Sequence, residues 1–147
     1  MAVLKNAKRF KKKFPLTIAW RLKSNSDVVE KHLNPDEEVK YVFVGQKNNR
    51  FYDIFSTCVI AITNKRILIG RKRVIFGYML DSVMPYMYND LNIKSGFIWG
   101  KVTIDTIKEE LIFSNIDKAA LSEIETNISE SMIALKRKYP KSEKDEK

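Results

Sequence analysis

Cysteine occurs once in these 147 residues, at Cys58, and histidine once, at His32. A lone cysteine excludes an intramolecular disulfide, and its place inside an apolar run reads as a buried core thiol in a reducing compartment. Without a second cysteine or histidine there is no spacing for a structural zinc site. Any Ser-His-Asp or Cys-His arrangement would have to pass through His32, which nothing in the sequence sets beside Cys58. The five glycines are scattered, so neither a phosphate-cradling loop nor a dinucleotide fingerprint is present. No apolar run reaches the roughly eighteen residues that a membrane-crossing helix needs. The short stretch from Phe14 to Trp20 is broken by Pro15 and lacks a signal-peptide cleavage pattern. The expectation is a non-enzymatic protein with no metal and no cofactor, cytoplasmic and at most peripheral to a membrane.

Acidic residues are missing from the first 26 positions, which hold eight basic ones, among them Lys8, Arg9, Lys11, Lys12 and Lys13. The last twelve residues hold six basic and three acidic side chains, so the stretch between carries thirteen basic against fifteen acidic and is close to neutral. The overall charge of +9 therefore belongs to the ends. That asymmetry suits a tail for an anionic surface, and equally a solvated one. The expected division is a basic segment at 1–26, partly an amphipathic helix, one domain at 27–139, and a charged disordered tail at 140–147.

What is abundant is β-branched sequence. Thr57 to Thr63 and Arg66 to Lys72 are two such runs around Asn64-Lys65, which predicts a tight hairpin with Asn at a positive φ. Before it, Val3, Leu4, Ala7, Phe10 and Phe14 fall at helical spacing opposite lysines. Ser26 and Asp27 are candidate N-caps for a short helix through Leu33. Asp36-Glu37-Glu38 reads as a solvated junction, since three adjacent carboxylates do not converge in an extended chain. Val39 to Val44 is a first strand, and 45–56 a loop in which Lys47 and Arg50 stand next to Phe51, Tyr52, Ile54 and Phe55.

Beyond the hairpin, strands are expected at 74–80, 83–88, 91–94, 97–105 and 110–113. In the fourth of these Ile98, Gly100, Val102 and Ile104 share one face, and Gly100 marks a bulge or the close approach of another element. From Asp117 to Tyr139 the period becomes helical, with Leu121, Ile124, Ile128, Met132, Leu135 and Tyr139 in one stripe.

The Thr63-Asn64-Lys65-Arg66-Ile67 turn between two such strands, followed by several strands and one long helix, resembles bacterial PH-like domains of the YokE-like kind. The resemblance implies a mainly β fold: a seven-stranded antiparallel barrel or orthogonal sandwich capped at one end by a long C-terminal helix, with short N-terminal helices. It also implies an adaptor that binds lipids, peptides or proteins. Phosphoinositide-binding relatives carry basic residues in the second strand, and Thr57 to Thr63 has none.

The candidate binding residues are basic: Lys47 and Arg50 in the loop; Lys65, Arg66, Arg71, Lys72 and Arg73 on the hairpin; and Lys8, Arg9, Lys11, Lys12 and Lys13 at the N-terminus. They suit a protein partner or, weakly, an anionic membrane. A nucleic-acid-binding protein and a small enzyme with an unrecognised site are the alternatives, and a homo-oligomer is a further expectation.

Overall fold

Seven strands make up the described sheet, and how each is covered explains its pattern. The computed structural model describes residues 2–47 and 56–139. Helices α1 (Ala2–Lys13) and α2 (Leu22–Lys31) precede β1 (Val39–Lys47), β2 (Thr57–Thr63), β3 (Ile67–Lys72), β4 (Tyr78–Val83), β5 (Tyr88–Ser95), β6 (Trp99–Thr106) and β7 (Glu110–Asp117). Helix α3 (Leu121–Lys138) closes the described chain. Every strand pairs antiparallel, in the order β4-β3-β2-β1-β7-β6-β5, as one sheet that curls into a half-barrel. Strand β2 lies between β1 and β3 inside the sheet and is buried along its whole length, which is why it is apolar from Cys58 to Ile62 rather than alternating. Strand β6, covered on one side, buries Gly100, Val102, Ile104 and Thr106 and turns the residues between toward solvent.

The helices dock on their predicted stripes. Helix α1 buries Val3, Ala7 and Phe10 against β1 and α2, and Phe14 follows them into the core. Helix α2 lies flush on β3 at Gly70, where a Cβ would come within 2.6 Å of Val29 Cγ2. Helix α3 buries Leu121, Ile124, Ile128, Met132 and Leu135 and crosses β5, β6 and β2. Gly100 is indeed the point of close approach, because a Cβ there would meet Leu121 at 2.2 Å, and the β6–β7 register shifts beside it.

Several boundaries differ from expectation, each for a local reason. Helix α2 begins at Leu22, after Arg21 in the left-handed region, so Ser26 and Asp27 sit inside it and cap nothing. Gly45 and Gln46 extend β1 by pairing with Cys58 and Thr57 of β2, and Lys47 by pairing with Phe113 of β7, so 45–47 are not loop. The apolar run from Val74 turns instead of extending: Gly77 takes φ 72 and the Arg73 N–H donates to its carbonyl, closing the β3–β4 connection. Pro85 opens a 3-10 turn at Pro85–Met87, so β5 starts only at Tyr88. Strand β7 runs on to Asp117, whose side chain accepts from Ala119 N, and α3 starts at Leu121. Tyr139 and Ile98 are exposed.

Candidate functional site

The turn of the β2–β3 hairpin is built by a side chain. Thr63 Oγ1 accepts from the backbone N–H groups of Lys65 and Arg66, each at 3.1 Å, and donates to Glu37 Oε2 at 2.6 Å. Asn64 therefore needs no positive φ and has none. Its amide oxygen instead accepts from Glu38 N at 2.8 Å.

Arg66 is an internal strut. Its Nε and Nη2 grip Glu37 Oε2 and Oε1 at 3.0 Å each, and Nη2 also donates to His32 O at 3.0 Å. The Glu37 side chain is fully buried and accepts a fourth hydrogen bond from Asn34 N at 3.1 Å. So the middle of the acidic triplet belongs to the interior, and only its flanks are solvated. Burial alone would push the Glu37 carboxyl up, but the bonds from Arg66, Thr63 and Asn34 N outweigh it and hold the group below its usual 4.5. The Glu123 carboxyl, likewise raised by burial but bonded to Lys13 and the Tyr41 hydroxyl, is also held low. A carboxylate whose folded pKa is depressed contributes stability that is complete above its unfolded value and is lost as pH falls through the folded one. Urea melts are therefore expected to give constant stability near neutrality and a decline below pH 4.5. The decline should be shallower in Glu37→Gln, and an identical slope in that variant would refute Glu37 as its source.

Other predicted cations are also engaged. Lys65 pairs with Asp36 at 2.9 Å, and Lys47 with Asp81 at 3.3 Å. Arg71 is half-buried beside Met79 and Cys58. Burial pushes the Cys58 thiol up to about 11 despite the nearby Arg71 and Lys47 charges, so it is not a nucleophile at neutral pH. Lys11 donates to Pro15 O at 2.6 Å and Thr17 O at 2.7 Å, tying the chain after α1, and Lys13 bridges to Glu123 at 2.5 Å. Arg50, with Phe51, Tyr52, Ile54 and Phe55, lies outside the described residues.

The hairpin cations do not form one patch. Lys65 and Arg66 occupy its turn, whereas Arg71, Lys72 and Arg73 stand about 20 Å away at the far end of β3. At that far end the exposed side chains gather. Lys72 and Arg73 are followed by Val74, Ile75 and Phe76, which are 55%, 79% and 81% exposed. The tip is moored to α2: the buried Asn25 Oδ1 accepts from Lys72 N at 2.8 Å, and Arg21 Nη1 donates to Lys72 O at 3.3 Å. His32 Nδ1 lies 2.6 Å from Val28 O and so carries the proton, leaving Nε2 to accept from the Tyr78 hydroxyl at 3.2 Å. Neither Asn25 nor the apolar tip was marked by the sequence, the tip because its apolar run passes for a strand. On α1, Lys5, Lys8 and Lys12 form an outward row of cations, with Arg9 held to Asn6.

A second apolar exposure tops the β5–β6 connection at Phe97, Ile98 and Trp99, with Trp99 Nε1 donating to Leu16 O at 2.6 Å. Among the described residues no three His, Cys, Asp or Glu side chains are grouped to hold a metal ion. No described helix is long and apolar enough to cross a membrane.

A family model described as a bacterial PH domain matches residues 33–130. The chain is similar to a solved structure, the crystal structure of a pleckstrin homology domain from Shewanella amazonensis SB2B, at 10% identity. That likeness covers 73% of this chain and 81% of the other, with a TM-score of 0.44. No curated protein matches.

Proposed function

Because this chain belongs to the bacterial PH domain family, we propose that it works as a non-enzymatic binding module whose β3–β4 tip docks on an anionic membrane surface. One observation carries the reading: three consecutive apolar side chains project into solvent directly after Arg71-Lys72-Arg73, on a tip fixed to α2. Apolar residues so exposed in a moored turn bury nothing of their own fold, and burying one large apolar side chain in an acyl boundary is worth about 1.5–3 kcal/mol. Each cation beside an anionic surface adds about 1 kcal/mol at low screening. The row of lysines on α1 contributes to the long-range attraction without needing to touch lipid.

Vesicles of phosphatidylglycerol in phosphatidylcholine should sediment the protein. Ile75→Asp combined with Phe76→Asp should weaken that partitioning about a hundredfold. Since both side chains are exposed, the melting temperature should not move. Undiminished sedimentation of the double variant would remove the tip from the contact. A partner protein recognised by the same tip would instead leave vesicles untouched in every variant.

A further inference from the structure

A cavity of about 210 Å3 opens at the base of the same tip, between α2 and the β3–β4 connection. Ser24, Asp27 and Lys31 line it from one face of α2, with His32 just beyond, and Lys72 and Tyr78 line it from the two strands. Its charges do not cancel. Lys31 and Lys72 have no ion-pair partner among the described residues, and the one carboxylate opposite them is Asp27. Asp27 Oδ2 takes only the exposed Lys23, at 3.3 Å, which is a weak pair. Oδ1 is buried with no hydrogen-bond partner, so the carboxylate keeps acceptor capacity. The His32 and Tyr78 rings, 5.0 Å apart and tilted by 52°, add an aromatic wall of the kind that favours a cation.

Resting on the membrane reading above, we infer that this cavity takes the phosphoethanolamine headgroup of a bilayer lipid, its phosphate between Lys31 and Lys72 and its primary ammonium on Asp27. Two cations and one carboxylate match a group that carries one anion and one hydrogen-bonding cation. A glycerol headgroup offers Asp27 no positive charge, and a choline headgroup has no N–H to donate. The lipid source follows from position. Gly77 and Tyr78, in the cavity wall, directly follow Phe76 of the tip, so a headgroup in the cavity sits where a lipid entered by the tip would hold it.

The experiment compares vesicles at fixed phosphatidylglycerol, with the remainder phosphatidylcholine or phosphatidylethanolamine. The full chain should bind the ethanolamine vesicles about tenfold more tightly. Asp27→Asn should lose the gain without weakening binding to the choline vesicles, whereas Lys31→Gln, which gives up a cation beside the phosphates that all these lipids share, should weaken binding to both vesicles and lose the gain as well. A gain that persists in both variants overturns the headgroup site, since looser lipid packing then accounts for it. No gain in the wild type, with tip-dependent binding intact, overturns the site and leaves the membrane reading standing. Absence of binding to either vesicle overturns both. Soluble phosphoethanolamine, titrated in parallel, should compete only weakly, and competition that removes all binding would assign the cavity to a free metabolite instead.

Discussion

Glu37→Ala should destabilise the protein by about 3–5 kcal/mol, because it removes one partner of a buried ion pair and leaves the other charge uncompensated. Arg66 is only 18% exposed in its side chain and keeps no other carboxylate among the described residues, while Asn34 N loses its acceptor and Thr63 Oγ1 is left with Arg66 O. Against a total stability of about 5–15 kcal/mol that is a large share. The expected reading is a melting temperature lower by about 10 °C or more. A double-mutant cycle with Arg66→Ala should return a coupling well above that of an exposed pair such as Lys40 and Glu38. A change of about a degree in Glu37→Ala would refute the strut.

Phe10→Ala is the second large effect. Phe10 is 4% exposed, with its ring 5.0 Å from that of Phe14 and 6.4 and 6.5 Å from those of Tyr41 and Phe43. Truncating a buried phenylalanine costs about 3–5 kcal/mol. A helix of twelve residues has little stability of its own, so it remains folded only while this contact holds it. The variant should melt earlier and expose α1 to proteolysis near Lys8 and Lys12 at neutral pH. Wild-type stability with α1 cleaved would mean that the helix is an appendage and not part of the core. The same packing makes deletion of the whole N-terminal segment a poor probe of its charges, since deletion also uncovers Tyr41 and Phe43. Charge reversal at Lys5, Lys8 and Lys12 leaves the buried face alone.

These two residues also show what a sequence reveals of such a fold. The stripe of Val3, Ala7 and Phe10 and the longer one of α3 were legible because helical burial repeats within a few neighbours. Gly100 was legible because a glycine in an otherwise alternating strand asks for something to lie against it. The roles of Arg66 and Glu37 were not, because 29 residues separate them and no local pattern reports a pairing that the sheet brings about. The start of α2 was hidden for a different reason. Arg21 supplies the left-handed residue that glycine or asparagine ordinarily signals, while Ser26 and Asp27 mimic a cap further on. The apolar tip at Val74 to Phe76 was masked by its composition, since residues that project into solvent there are the ones that fill strands elsewhere.

Among the described residues, strands β1 and β7 meet at two registered positions, Gln46 with Ser114 and Lys47 with Phe113. Elsewhere neighbouring strands share at least four. Beside that short join Asn115 takes φ 55, its side-chain amide bonds Gln46 Oε1, and its carbonyl turns to accept Ile18 N. Mechanically, the described part of the molecule is thus a pair of plates clasped along a narrow seam, with Gln46 and Asn115 as the rivet and the segment after α1 as a splint across it. Among the described residues, load applied at one plate reaches the other through that seam and the helices that straddle it.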